Sequence, residues 1–275
     1  MVDKYDKLTG ILRELGRVAV AFSGGVDSAF LLAAAYETLG KNAIAITIDS
    51  PALPGSELND AKKLVSLTGA EHVVVSMPEI SATVRKNDIE RCYQCKKEIF
   101  DRIISEAEAR NIKYVLDGSN ADDTGDYRPG MEALRELKVI SPLLLAGFTK
   151  REIRDLSRKK GLPTWDKPAY ACLYTRIPYG NEIREEYLKR IELSEKLLAE
   201  YGFLISRVRC HGDTARIEVE KERIGELTEG PVSVRLVAAL KGYGFKYVTV
   251  DLEGYRMGSM NDMITKGTGT TTNQV

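Results

Sequence analysis

The fold is decided by the stretch Arg17-Val-Ala-Val-Ala-Phe-Ser-Gly-Gly-Val-Asp-Ser28. Its first half is the short apolar, β-branched run typical of a buried strand, and an apolar stretch with helical character follows from Val26. Between them lies Ser23-Gly24-Gly25, where two glycines let the backbone approach a ligand closely. The sequence therefore predicts a strand, a tight turn and a helix whose first backbone N–H groups have no intrahelical partner.

Such a turn is suited to bind an anion, because unpaired N–H groups and the positive end of the helix dipole meet there. Ser23 and Ser28 add hydroxyl donors. Asp27 would repel a phosphate unless a cation lay between them, so we interpret it as a carboxylate that binds Mg²⁺ or orients the substrate. An ordinary strand-to-helix turn is the alternative.

The complete pattern S-G-G-x-D-S resembles the PP-loop of the ATP pyrophosphatases, while the two other common phosphate-binding glycine patterns are absent. Enzymes of that superfamily cleave ATP between the α- and β-phosphates to adenylate a substrate. The resemblance implies that ATP and Mg²⁺ are cofactors and that the turn from Ser23 to Ser28 holds the nucleotide.

Length and composition are those of a globular protein of one large or two smaller domains. The chain has 275 residues, of which 43% are hydrophobic and 29% charged, and 40 basic residues balance 40 acidic ones. This balance argues against a dedicated nucleic-acid binder. No apolar run approaches the roughly 20 residues of a membrane span and no signal peptide is recognised, so we expect a cytoplasmic protein without a membrane partner.

Short apolar strands alternate with helical patterns through the first half of the chain. Strands are predicted at 18–22, 43–48, 72–75, 114–116 and 139–145, and helices at 5–15, 26–38, 58–68 and 91–111. This alternation predicts an α/β fold with a parallel sheet and helices on both faces. Ligands bind beyond the carboxyl ends of such strands, where Ser23, Ser50 and Gly118 all lie.

The pattern changes after Asn181. A long helix from 183 to 200, a hairpin at 207–219, a helix at 232–240 and a strand at 245–250 predict a small α+β domain. We therefore predict a PP-loop domain at 1–166, an active-site connector at 167–180, a substrate and oligomerisation domain at 181–263, and a tail at 264–275 without fixed structure.

Further candidate ATP ligands follow the fourth strand or start helices. Gly118-Ser-Asn120 precedes Asp122 and Asp123, two acids that could hold Mg²⁺ against pyrophosphate, and PP-loop enzymes carry a similar segment here. Lys96 and Lys97 lie beside two cysteines, and Lys150 begins a helix opened by a capping box at Thr149. Each lysine could instead be a solvated surface residue.

A second resemblance is carried by Lys167-Pro-Ala-Tyr-Ala-Cys172-Leu-Tyr-Thr-Arg176-Ile-Pro-Tyr-Gly180. It is similar to a segment of the LarE family of ATP-dependent sulfur transferases. The likeness extends over nearly the whole chain, through 126–130, 207–209, 215–218, 247–249 and 256–262. That family adenylates pyridinium-3,5-biscarboxylic acid mononucleotide and replaces AMP by sulfur, giving the thiocarboxylates of the nickel-pincer nucleotide.

The resemblance implies a small-molecule nucleotide substrate with a 5′-phosphate. Arg207 and Arg209 alternate on one face of the predicted strand and could make bidentate contacts to that phosphate, with Arg176 and Thr175 beside them. Surface ion pairs on the hairpin are the alternative. Adenylation is also reasonable chemically, because a carboxylate becomes a good electrophile only when its oxygen is made a leaving group.

The sulfur source rests on the cysteines. Some members of the family sacrifice the sulfur of one cysteine, whose position here is Ala171, one place before Cys172. This chain instead has Cys92, Cys95 and Cys172, like members that hold a [4Fe-4S] cluster by three thiolates and leave one iron open for hydrosulfide from a sulfide donor. The alternatives are sacrifice of Cys172 or redox chemistry of the thiols, a zinc site completed by His211 or Cys210, and simple buried thiols.

Three acids, Glu195, Glu218 and Glu226, match positions that meet a metal at a subunit interface in the family. The resemblance therefore implies a homo-oligomer, for which a hexamer is one candidate. The competing functions are tRNA thiolation, which would call for a basic RNA-binding domain, an amide-forming ligase, which would call for a glutaminase domain, and a non-catalytic nucleotide-binding module.

Overall fold

A computed structural model describes residues 2–125, 129–168 and 172–256. In chain order its helices and strands are α1 (Val2–Leu15), β1 (Val18–Ala21), α2 (Val26–Leu39), β2 (Ala43–Asp49), α3 (Gly55–Thr68), β3 (Glu71–Ser76), α4 (Ala82–Arg85), α5 (Arg91–Ala109), β4 (Tyr114–Leu116), α6 (Pro129–Glu136), α7 (Pro142–Ala146), α8 (Lys150–Lys159), α9 (Glu185–Glu200), β5 (Ser206–His211), β6 (Thr214–Val219), α10 (Ile224–Thr228), α11 (Gly230–Gly242) and β7 (Tyr247–Val250).

The chain divides into two compact units. The first comprises Met1–Ile80 and Glu90–Tyr170, and the second comprises the described residues of Ser81–Ile89 and Ala171–Val275. The second unit thus takes a short segment from the first half of the sequence. No helix in the described ranges is long and apolar enough to cross a membrane.

The first unit contains a four-stranded parallel sheet in the order β3-β2-β1-β4. Val18 lies opposite Ala43 on one side and Tyr114 on the other, so β1 is central. The buried strands β1 and β2 are nearly continuous apolar runs, as expected for strands covered on both faces. The predicted α/β fold is confirmed.

Each face of the sheet carries its own apolar core. One cluster includes Leu8, Phe30 and Phe148 from α1, α2 and the turn before α8. The other includes Ile44 and Phe100, which bring β2 against α5. Because the helices lie on both faces, the carboxyl ends of the strands are left to their loops, which positions the turn after β1.

Helix ends follow local chemistry. α2 ends at Gly40 and α3 at Gly69, both with positive φ (57° and 78°), where a Cβ would be strained. Thr149 and Glu152 form the predicted capping box at the start of α8, which is confirmed.

The predicted strand at 139–145 is wrong. Ile140 makes only a single parallel bridge to Leu116, and the chain then forms helix α7. Pro142 stands at the start of that helix, where its missing N–H costs nothing, and Gly147 ends it in the left-handed conformation (φ 79°). A short apolar run fits either a buried strand or a buried helix turn, so the periodicity did not separate them.

The second unit is built around the predicted hairpin. β5 and β6 are antiparallel, and β7 adds parallel to β6, in the order β5-β6-β7. Its inserted segment is fixed by Asn87, whose buried Nδ2 donates to the carbonyls of Pro178 and Asn181 (both 2.8 Å) and of Ile177 (3.3 Å). The small α+β part of the prediction is also confirmed.

Part of the second resemblance lies outside the described residues. This applies to 126–128, to 169–171, and to 257–262, as well as to the predicted tail at 264–275.

Candidate functional site

The turn after β1 has the geometry of an anion-binding loop. Gly24 has a φ of 73°, in the left-handed region, and Gly25 is the extended N-cap residue of α2. No side chain caps this end of the helix. The first N–H groups of α2 are therefore left to whatever ligand the turn receives.

Two serine hydroxyls hold the turn from inside. The Ser23 N–H donates to Ser28 Oγ (3.3 Å), and Ser28 Oγ donates to the Gly25 carbonyl (3.2 Å). The Gly25 N–H in turn donates to Ser23 Oγ (3.4 Å). These hydrogen bonds of the two hydroxyls therefore stabilise the conformation of the turn without a ligand.

Neighbouring elements pack directly on this turn. A Cβ at Gly24 would lie 3.2 Å from the Cβ of Ala61 on α3. A Cβ at Gly118, which follows β4, would lie 3.0 Å from the Ser28 nitrogen and 3.2 Å from the Asp27 Cβ. The absence of a side chain at Gly118 therefore allows the loop after β4 to contact the start of α2.

Asp27 is bound by residues from two other loops. The Lys150 ammonium donates to its Oδ2, and the Asn120 amide donates to Oδ1 (3.5 Å). Burial raises the pKa of the Asp27 carboxyl, and the hydrogen bond and charge of Lys150 oppose that rise. Lys150 therefore offsets part of the effect of burial on this carboxyl group, which lies at the start of α2 beside the turn.

The two acids after β4 are tied to nearby backbone. Asp122 Oδ2 accepts the Lys150 N–H at the start of α8 (2.8 Å), and Asp123 Oδ2 accepts the Asn120 N–H (2.9 Å). The structure therefore brings the predicted residues Asp27, Asp122 and Lys150 together with the Ser23–Ser28 turn.

The other predicted nucleotide ligands lie on separate elements of the same unit. Ser50 directly follows β2, and its carbonyl accepts the Leu53 N–H (2.9 Å). Lys96 is on α5, where its aliphatic stem lies so near Gly130 that an added Cβ would be 2.8 Å from Lys96 Cδ.

Cys92 and Cys95 lie in the first turn of α5, three residues and about one helical turn apart, and both are half-buried. The buried Arg91 donates to the sulfur of Cys92 (3.6 Å). Cys172 is exposed and belongs to the second unit, just before the short 3₁₀ turn Leu173–Arg176. Burial raises the pKa of the fourth thiol, Cys210, to about 11, which suits a packing residue.

In the second unit, the predicted substrate residues Arg176, Arg209 and Thr175 form one network. The Arg176 guanidinium donates to Thr175 Oγ1 (2.9 Å), and Arg209 donates to the Thr175 carbonyl (2.9 Å). Both arginines are buried. Arg207 is buried nearby on β5, with its guanidinium 5.1 Å from the centre of the Tyr255 ring. Burial, followed by the positive charge of Arg176, lowers its pKa.

The predicted metal-binding glutamates are engaged by arginines. Glu195 binds Arg176 through two hydrogen bonds (2.8 and 3.1 Å), and Glu218 binds Arg209 in the same way (2.9 and 2.8 Å). Glu226 is exposed and paired with Arg223. Among the residues that the structure describes, no three His, Cys, Asp or Glu side chains converge closely enough to hold a metal ion.

Two residues at the turn were missed by sequence reasoning. Lys167 Nζ lies 2.8 Å from Glu57 Oε2 and donates to the carbonyl of Gly24 (3.4 Å). Lys167 opens the motif that carries the second resemblance, which was the available signal. Glu57 sits in the first turn of α3 and has no such signal, because an acid there is common at any helix start.

Comparisons with known proteins match the first part of the chain to a broad family and most of the chain to individual proteins. A family model described as asparagine synthase matches residues 10–160. The chain is 35% identical to the pyridinium-3,5-bisthiocarboxylic acid mononucleotide synthase of Lactiplantibacillus plantarum, over 97% of this chain and 96% of that protein. It is 42% identical to an uncharacterized protein of Synechocystis over 96% and 98% of the two chains, and 33% identical to one of Methanocaldococcus jannaschii over 87% and 91%.

Proposed function

The chain belongs to the LarE family of ATP-dependent sulfurtransferases, within the PP-loop ATP pyrophosphatases, and from this we propose its substrate and sulfur chemistry. The proposed substrate is pyridinium-3,5-biscarboxylic acid mononucleotide, whose two carboxylates become thiocarboxylates in the synthesis of the nickel-pincer nucleotide. One observation carries the proposal. The likeness to the Lactiplantibacillus synthase spans both units, whereas a likeness limited to the PP-loop would support ATP use alone.

In the first proposed step, a substrate carboxylate oxygen attacks the α-phosphorus of ATP. The bond from that phosphorus to the bridging oxygen breaks, and pyrophosphate leaves. The residues that support this step are in the Ser23–Ser28 turn, whose N–H groups and hydroxyls can bind the departing phosphates. Magnesium bound with ATP would meet Asp27 and Asp122, which suit it because Mg²⁺ prefers carboxylate oxygens.

In the second proposed step, sulfur attacks the carbonyl carbon of the acyl-adenylate. The carbon–oxygen bond to AMP breaks and AMP leaves with its electron pair. The second unit would hold the substrate's 5′-phosphate with Arg207 and Arg209. Glu218 keeps the Arg209 guanidinium in place, and Glu195 does the same for the neighbouring Arg176.

For the sulfur, we propose a [4Fe-4S] cluster held by Cys92, Cys95 and Cys172. The chemistry of the donor set fits, because thiolates are the ligands of such clusters, and Cys92 and Cys95 lie one helical turn apart. Cys172 is exposed and thus accessible as a ligand. When bound, such a cluster would present hydrosulfide. The alternative is sacrifice of the Cys172 sulfur.

The test of the whole proposal is product analysis. Purified protein is incubated with ATP, Mg²⁺ and the biscarboxylic nucleotide, with nicotinic acid mononucleotide as a matched substrate lacking one carboxylate. We expect AMP and pyrophosphate with the first nucleotide. Formation of ADP and phosphate, or equal turnover of an unmodified tRNA, would refute the proposed function.

The sulfur source needs its own test. Anaerobically reconstituted protein is expected to bind iron and sulfide and to absorb visible light, and Cys92→Ala and Cys95→Ala should abolish this while Cys210→Ala should not. Mass analysis after turnover gives the other outcome, since Cys172 lighter by one H₂S would establish the sacrificial route.

The proposal includes a homo-oligomer. In the second unit, Val234, Tyr247 and Leu252 are large apolar residues with most of their surface exposed. Sedimentation velocity over a range of protein concentrations gives the mass, and a monomer at every concentration would contradict this part of the proposal.

A further inference from the structure

Lys167 contacts the backbone of the anion-binding turn rather than its open side. Its ammonium donates to the Gly24 carbonyl (3.4 Å) and pairs with Glu57 (2.8 Å), which is almost fully buried. A buried carboxylate needs a partner, and Lys167 supplies it. The lysine is therefore held against the peptide that follows Gly24, the residue of the turn with a positive φ (73°).

The contact fixes the direction of one N–H group. The carbonyl of Gly24 and the N–H of Gly25 belong to the same planar peptide, so they point to opposite sides. A donor on the carbonyl side keeps the Gly25 N–H turned to the opposite, exposed side of the peptide, where it lies 3.4 Å from Ser23 Oγ and would face a bound polyphosphate. Glycine at both positions makes this peptide easy to rotate, since neither residue has a Cβ to restrict it.

The main chain of Lys167 is itself anchored. The Arg154 guanidinium donates to the Trp165 carbonyl and to the Lys167 carbonyl (both 2.7 Å). Arg154 lies on α8, the helix that begins with Lys150 and its ion pair to Asp27. One helix thus positions both lysines, one against the carboxylate and one against the backbone of the turn.

We propose that Lys167 is a positioning residue for the ATP-cleaving step, which holds the Gly24–Gly25 peptide with its N–H directed at the bound polyphosphate. Its partner Glu57 places the ammonium, and its effect is exerted through Gly24. This inference rests on the proposed function only to the extent that the turn binds ATP.

The test uses ATP binding without substrate or sulfur, so its result is independent of the proposed substrate. We compare Lys167→Met and Lys167→Arg in the full chain. The matched control is Lys160→Met, because Lys160 is a lysine of the same unit paired with Glu37, away from the turn. Calorimetry with Mg·ATP should show affinity weakened about tenfold or more in Lys167→Met, partly restored in Lys167→Arg and unchanged in Lys160→Met.

A readout on the backbone separates positioning from general stability. Hydrogen exchange of the peptide covering Ser23 to Ser28 should be faster in ATP-free Lys167→Met than in wild type, at equal thermal stability of the rest of the unit. Unchanged exchange and affinity in Lys167→Met would overturn the proposal. Glu57→Gln, which removes the partner that places the ammonium, should weaken ATP binding in the same direction as Lys167→Met, and wild-type affinity in Glu57→Gln would contradict the role given to Glu57.

Discussion

Replacing Glu218 by Gln should destabilise the second unit strongly. Glu218 is 1% exposed, and its carboxylate accepts from Arg209 at 2.9 and 2.8 Å and from Arg216 at 3.1 Å. The Gln side chain keeps one acceptor oxygen, but its amide nitrogen would face an Arg209 N–H. The Arg209 guanidinium would lose its counterion, while Arg216 would keep only its longer ion pair with Asp251 (3.6 Å). Breaking a buried ion pair in this way costs about 3 to 5 kcal/mol.

The assay is scanning calorimetry, which separates transitions where the two units unfold independently. The expected cost corresponds to a fall of roughly 6 to 20 °C in the melting temperature of the transition that contains the second unit. Glu226→Gln is the matched control, because it removes the same charge from an exposed pair with Arg223, and we expect no measurable change.

The pair of variants also separates two roles of the acids. If Glu218 acts by holding Arg209, only Glu218→Gln loses stability and the bound metal content is the same in both variants. Equal losses of stability and of bound metal in both variants would refute the ion-pair reasoning and favour the interface metal site. Wild-type stability of Glu218→Gln would refute both.

The remaining predictions concern the turn and the inserted segment. Gly24→Ala and Gly16→Ala both place a Cβ at positive φ, which should lower the free energy of unfolding by about 1 to 2 kcal/mol in each variant. Only at Gly24 would the added Cβ meet a neighbour, so only Gly24→Ala should raise the KM for ATP, measured by pyrophosphate release. In Lys150→Met, the already raised pKa of Asp27 should rise further because the opposing charge is gone. The acid limb of the pH–activity profile should therefore move to higher pH, since the activity needs the ionised carboxylate. An acid limb at the same pH as in wild type would contradict this. Asn87→Ala should cost the second unit about 2 to 4 kcal/mol in chemical denaturation, since the carbonyls of Ile177, Pro178 and Asn181 lose their donor and Ala must take a positive φ. A cost near zero would mean that the segment is not held by this side chain.

Much of the first unit could be predicted from sequence because its signals are local. The strand, glycine turn and helix around Ser23 lie in one short stretch, and Gly40, Gly69 and the capping box at Thr149 mark helix ends by their own backbone chemistry. Pro142 shows the limit of that reasoning. Its apolar neighbours fitted a strand, and the proline and glycine that make the segment helical carried the deciding signal.

The parts that could not be predicted depend on distant partners. Asp27 was recognisable as a charged residue in an anion site, but its contact with Lys150 spans 123 residues of sequence. Glu57 and Lys167 also pair across a long separation in sequence, and no periodic pattern around either residue indicates its partner. For the glutamates of the second unit, the family pattern indicated the positions, while the pairing with arginine depends on the register of β5 and β6.

Asn87 and its segment have a practical consequence for fragment work on this protein. Because the polypeptide passes between the two units at three points, near residues 80, 89 and 170, a C-terminal fragment starting at the connector would lack Ser81–Ile89 and would leave the carbonyls of Pro178 and Asn181 without their donor. Excision of the C-terminal half as a stand-alone piece should therefore require Ser81–Ile89 to be grafted back through a linker. The same arrangement obliges the ribosome to synthesise the chain at least as far as Asn181 before the residues around Asn87 can reach their final neighbours.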